Sequence, residues 1–234
     1  MATARKTPTP AGLGVRALSA QATREKILKA ATQVFAKHGY QGGSVEKISR
    51  AAKSVDRMIY YYFGSKEGLF TEVIEGMYRR MNEAEAQLRL NVEDPVVALE
   101  QVIAFVLGYY RAHPEFITLL NTENLLQGRH IARSPRAAQY SSPAVGVIAD
   151  ILKRGQAQKI FRPELQARNV YLLIVSTGYF LMSNRYTLSS FLGERVDSPE
   201  NAQAWKDFVT DAVLRTVLAP PMNPQGDPHG HRHR

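Results

Sequence analysis

Three tyrosines stand in a row between Ile59 and Phe63, and Gly64-Ser65 then leads into Lys66. A phenol is rigid, stacks on sugar and base edges, and donates its O–H to phosphate oxygen. A neighbouring lysine adds charge, so the run is equipped to meet an anion. Other chemistries lack their residues. The chain has no cysteine, which excludes disulfides, thiolate metal sites and a cysteine nucleophile. It has no Gly-x-Ser-x-Gly, no phosphate loop, no His-Glu-x-x-His and no Glu-x-x-His pair. His113 and His130 are the only histidines placed for catalysis, and neither has an obvious orienting partner, so an enzyme is not expected. The ending His-Gly-His-Arg-His-Arg offers His229, His231 and His233 to a divalent metal, but it follows a Pro-rich stretch and reads as a disordered tail. No metal site and no cofactor are expected.

Charge is distributed unevenly. Met1 to Lys66 holds twelve Lys/Arg against Glu25, Glu46 and Asp56, so the whole net charge of +9 lies in the first quarter. The remainder is neutral. Such asymmetry points to a polyanion as the partner of the first quarter. No secretory signal is visible, and Val170–Met182 is interrupted by Ser176, Thr177 and Gly178, too short an apolar run to span a bilayer. A soluble, cytoplasmic protein with no membrane partner is expected.

Taken alone, the tyrosine run resembles a strand, because aromatics are enriched there. Its flanks argue otherwise. Ile27, Leu28, Ala31, Val34 and Phe35 recur at helical spacing, and Gly39 stands where a C-terminal cap is wanted. Ser44 is an N-cap for a short helix with Val45, Ile48 and Ala52 on one face. After a short break, Asp56 opens a segment in which Ile59, Tyr62 and Phe63 share a face while Arg57, Tyr60 and Tyr61 point elsewhere. Ser65 caps a long amphipathic helix. Asp94-Pro95, His113-Pro114, Ser142-Pro143 and Ser198-Pro199 start further helices, and Pro163 to about Leu192 reads as one long apolar helix. The fold class is all-α. Residues 1–18 read as a disordered basic arm, 19–66 as a helix-turn-helix module, 67–219 as a larger helical bundle and 220–234 as a disordered tail. In a helix-turn-helix the last helix enters the DNA major groove.

The stretch TREKILKAATQVFAKHGYQGGSVEKISRAAKSVDRMIYYYFGSKEGLF resembles the N-terminal DNA-binding region of TetR-type bacterial transcription regulators, over about residues 21–70. The resemblance implies that Ile59 and Phe63 are core, and that Tyr60 and Tyr61 touch DNA. Lys66, at the start of the fourth helix, and Ser44, at the start of the second, would each hold a phosphate. The remaining candidate contacts are Arg24, Val45, Lys53, Ser54, Asp56, Arg57 and Met58, with Arg57 open to either guanine or phosphate. One departure stands out. The family turn usually reads Ala-Gly-Val-Ser, whereas here it is Ala52-Lys53-Ser54-Val55, so Lys53 occupies the glycine position and Val55 the capping one.

The resemblance further implies a C-terminal ligand-binding and dimerisation domain. Candidate ligand residues are Phe105, Tyr109, Asn121, Asn124, Arg129, Ile174, Gly178, Tyr179 and Asn184, polar groups at the ends of apolar helices with aromatic neighbours. Their mixture suggests a small aromatic or carboxylate-bearing ligand. The expected function is a homodimeric repressor, paired through its last two long helices and released from a palindromic double-stranded operator by a small-molecule effector. The alternative is a helical-bundle binding protein or enzyme with an incidental basic N-terminus.

Overall fold

The computed structural model describes residues 10–136 and 143–220. Among these residues there are ten α-helices: α1 Pro10–Gly42, α2 Val45–Ala51, α3 Asp56–Phe63, α4 Lys66–Ala86, α5 Pro95–Ala112, α6 Pro114–Leu125, α7 Pro143–Ala157, α8 Ala167–Ser183, α9 Arg185–Leu192 and α10 Pro199–Val217. A 3-10 turn covers Ile131–Arg133. The His-rich ending lies outside the described residues.

Helix starts follow local chemistry. The Ser44 hydroxyl accepts the Lys47 N–H at 3.2 Å and Ser65 accepts that of Gly68 at 2.9 Å. Asp94 accepts from both Val96 and Val97, and Ser198 from Asn201. Each satisfies donors that a helix leaves orphaned at its first turn, worth about 1 kcal/mol apiece. Two expectations change. The segment expected as an arm through Leu18 is helical from Pro10 onward, since proline fits a first helical turn and Ala17, Leu18 and Ala20 favour the helix. The helix expected over Pro163–Leu192 is two helices. Asn184 donates from its side chain to the Phe180 carbonyl, and Arg185 donates to that of Met182. These side chains satisfy the last carbonyls of α8 and end it.

The first three helices close over Ile27, Ala31, Phe35, Ile48, Ile59 and Phe63, all buried. Phe70 of α4 meets Phe35 edge-on at 5.0 Å, tying the module to the rest. Gly39, at φ 65, lets α1 bend before Tyr40 packs on the same rings. Beyond α4, helices α5, α7, α8 and α10 pack around Leu99, Ile103, Ile148, Ile174, Val209 and Val213, and each such side chain contributes roughly 1.5–3 kcal/mol by leaving water. Helix α6 lies against α1, α4 and α8, between module and bundle. No helix among the described residues is long and apolar enough to cross a membrane.

Candidate nucleic-acid interface and effector cavity

Helix α3 divides its aromatic run between two sides. Ile59 is fully buried and Phe63 nearly so, while Tyr60 and Tyr61 are 53% and 76% exposed. Tyr62 is half-buried against the core. A period of 3.6 residues requires this split once Ile59 and Phe63, four apart, face inward. The helix stops at Gly64, whose φ of 73 suits only a residue without Cβ, and its N–H bonds the Tyr60 carbonyl at 2.9 Å. Lys66 then begins α4. Its Nζ lies 4.7 Å from the Tyr40 ring centre and 3.4 Å from the Gln41 carbonyl, and burial pulls its pKa down. The preceding turn holds Lys53 at φ 50. No hydroxyl caps α3: Val55 occupies that place, with its carbonyl accepting from Met58 at 2.9 Å. The Asp56 carboxylate instead accepts from the Ser49 hydroxyl and links α3 to α2.

A second feature lies in the bundle. A cavity of about 290 Å³ opens between α4, α5, α6 and α8, lined by Tyr78, Met81, Asn82, Glu85, Tyr110, Phe116, Leu120, Asn124, Tyr171, Leu172, Val175, Ser176 and Tyr179. Its walls are mostly aromatic and apolar. The Tyr179 hydroxyl donates to Asn121 Oδ1, which also receives Ser183 Oγ at 3.1 Å. Burial pushes the Tyr78 and Tyr110 phenols up, so both stay neutral. Burial likewise raises the Glu85 carboxyl to about 7.

Residues 27–73 match the family described as bacterial regulatory proteins, tetR family, and residues 95–213 match the tetracyclin repressor-like C-terminal domain. The chain is 50% identical over 202 residues to the HTH-type transcriptional repressor NicS of Pseudomonas putida, an alignment covering 86% of this chain and 95% of that one. This chain belongs to the TetR family. The fold agrees with two solved relatives. A transcriptional regulator SCO4942 from Streptomyces coelicolor superimposes with a TM-score of 0.62 at 22% identity, covering 85% of this chain and 99% of the other. A bacterial regulatory protein in the tetR family from Rhodococcus RHA1 gives 0.66 at 16% identity, covering 85% and 98%. The chain is therefore a DNA-binding transcription regulator of the TetR family, whose members are regulators and not enzymes.

In this TetR-family chain the candidate DNA residues fall into two groups. Arg57, Tyr60, Tyr61 and Lys53 are exposed, and Ser44, Ser54 and Lys66 are half-buried. The other four are engaged elsewhere. Val45 and Met58 pack against the core. Arg24 pairs with Glu72, and its guanidinium lies 5.0 Å over the Phe63 ring, pinning α1 to α4. Asp56 serves Ser49.

The candidate ligand residues divide similarly. Asn124 and Tyr179 line the cavity, and Asn121 orients Tyr179. The other six do not line it. Phe105 and Tyr109 pack together as a tilted pair 5.7 Å apart, with Tyr109 also 4.2 Å from the His113 ring. Ile174 is fully buried. Gly178 is where α8 meets α5, since a Cβ there would lie 2.8 Å from Leu107. Asn184 terminates α8, and Arg129 reaches Glu67 at 3.9 Å, near the module. Sequence reasoning missed Tyr78, Asn82, Glu85, Tyr110, Phe116 and Tyr171. A signal existed: Tyr78, Met81, Asn82 and Glu85 recur at i, i+3, i+4 and i+7, a stripe mixing aromatic and polar groups on α4.

Proposed function

We propose that this regulator is a homodimeric repressor that acts in the cytoplasm on a palindromic operator and is released when a small molecule enters the four-helix cavity. The observation that carries this reading is the course of α4. Its first residue, Lys66, belongs to the proposed DNA face, and Tyr78, Met81, Asn82 and Glu85 from its second half line the cavity. Twenty-one helical residues span about 31 Å at 1.5 Å each. One rigid element thus ends at both places, and a ligand that shifts its far end moves its near end. Such a ligand must bind the released state more tightly, because equal affinity shifts nothing.

Dimerisation is supported by the surface of α8, α9 and α10. Phe180, Leu192 and Phe208 are exposed and line an apolar groove with Trp205, and Tyr186 and Phe191 are exposed on α9. The Trp205 Nε1 is buried with no hydrogen-bond partner among the described residues. A second copy seated on this face would cover the apolar side chains and place two α3 helices for half-sites roughly 34–36 Å apart, or a multiple of it.

The decisive experiment is selection of bound DNA from a random pool near physiological salt, beside sedimentation of the protein alone. Recovery of a palindrome by a sedimenting dimer supports the reading. Enrichment of no sequence, with binding lost steeply as salt rises, would leave only the phosphate contribution and overturn it.

A further inference from the structure

Among the described residues that line the cavity, Glu85 is the one acid. Glu85 is 92% removed from solvent, its exposure being 8%, and its carboxyl makes no hydrogen bond or ion pair among the described residues. Asn121 already receives Tyr179 and Ser183 on the α6–α8 side. The polar groups that share the lining with Glu85 are Tyr78 and Asn82 on its own helix, Tyr110 on α5, Asn124 on α6, and Tyr171, Ser176 and Tyr179 on α8, with the Ser176 hydroxyl donating to the Leu173 carbonyl. No Lys, Arg or His belongs to the lining. A buried carboxylate without a donor is costly, so the cavity as it stands favours a neutral acid, and burial indeed holds this carboxyl near 7. A ligand supplying an N–H would remove the cost and gain a charge-assisted hydrogen bond. Five aromatic residues, Tyr78, Tyr110, Phe116, Tyr171 and Tyr179, belong to the lining, a composition that suits a flat ring or a delocalised cation.

Resting on the reading of this cavity as the effector site, we propose that the effector is a small planar aromatic molecule whose N–H group, cationic or neutral, is bound by Glu85. A carboxylate directed at Glu85 would place two acids together in an apolar cavity and meet no basic side chain. The α4 stripe thereby acts as the specificity element, with Glu85 choosing the polar end of the ligand and the aromatic walls choosing its flatness.

Three compounds of nearly one shape separate the possibilities: benzamidine, with cationic N–H donors; acetophenone, with none; and benzoate, an anion. Calorimetric titration into the full chain at pH 8 is expected to show benzamidine binding at least tenfold more tightly than acetophenone, with benzoate weakest. Glu85→Gln, which keeps the shape and removes the charge, is expected to erase that tenfold preference while leaving acetophenone unchanged. Asn124→Trp, placed at an exposed cavity-lining position, is expected to block all three. Acetophenone or benzoate binding as tightly as benzamidine in the unaltered protein, and blocked by Asn124→Trp, would overturn the role of Glu85 while leaving the cavity as the ligand site. Binding of none of them at millimolar concentration, or binding that Asn124→Trp does not affect, would overturn both. Should Glu85→Gln fail to fold, the ranking in the unaltered protein decides by itself.

Discussion

His130 Nδ1 lies 2.7 Å from Glu123 Oε2, with both side chains almost wholly buried. The other oxygen of the same carboxylate receives the backbone N–H groups of His130 and Ile131 at 2.8 and 2.9 Å. The imidazole in turn packs 5.0 Å from the Tyr40 ring and 4.8 Å from Phe70. One carboxylate on α6 thus closes the loop after that helix and presses a ring onto the DNA-binding module. Removing it would leave the buried backbone N–H and ring Nδ1 of His130 and the half-buried N–H of Ile131 without their partner, each lost bond to a buried group costing about 1–3 kcal/mol before relaxation. Glu123→Ala is expected to destabilise the protein by about 3 kcal/mol, lowering Tm by roughly 6–12 °C for a chain of this length. Thermal unfolding checks it, and an unchanged Tm would mean that the contact contributes nothing net.

The DNA face should separate from the fold. Tyr61 is three-quarters exposed, so Tyr61→Phe is expected to leave Tm unchanged within about 0.5 kcal/mol. If the phenol donates to phosphate, the same substitution weakens operator binding by about 1–2 kcal/mol, roughly five- to thirtyfold. Filter binding on the selected palindrome measures this, and equal affinity would remove Tyr61 from the contact set.

Lys66 should behave as a charge. Lys66→Ala is expected to weaken binding to every sequence alike and to make the slope of log K against log salt shallower by about 0.9. Loss of affinity for the palindrome alone, with an unaltered slope, would instead indicate base reading.

Lys53 occupies the left-handed region at φ 50, where a side chain is strained by about 1 kcal/mol or more. Lys53→Gly relieves that strain and loses part of the gain to the greater freedom of glycine in the unfolded chain. A net stabilisation of about 0.5–1 kcal/mol is expected from denaturant unfolding at low ionic strength. A destabilised variant would show that the lysine side chain does more for the fold than its backbone costs.

Glu85 predicts a pH dependence of stability. Its folded pKa of about 7 lies above the ordinary value of 4.5, so the folded state holds a proton that the unfolded chain has lost. The advantage of the protonated form is complete below about pH 4.5 and is lost as pH rises to about 7. The shift corresponds to about 3 kcal/mol, and solvent reaching the cavity mouth reduces this to about 1–3. Glu85→Gln is expected to lack this loss, so the variant gains on the unaltered protein between pH 5 and pH 8. Parallel Tm curves for the two proteins would show that Glu85 is not held in a desolvated site.

Much of this molecule was legible in short-range pattern, because its determinants are local. Helix starts at Ser44, Ser65, Asp94 and Ser198 are set by side chains bonding N–H groups two or three residues on. The division of Ile59 and Phe63 from Tyr60 and Tyr61 follows from a helical period applied to eight residues, and the strain at Lys53 from its place in a turn. The tertiary structure alone decided which polar groups converge. Arg24 is spent on Glu72 and Asp56 on Ser49, and Arg129 and Asn184 lie away from the cavity that their composition suggested. Glu85 shares a helical stripe with Tyr78, Met81 and Asn82 that is visible in sequence. That stripe faces a cavity because α5, α6 and α8 pack across it, and the burial of its charged member depends on neighbours distant in the chain, which the stripe itself does not encode.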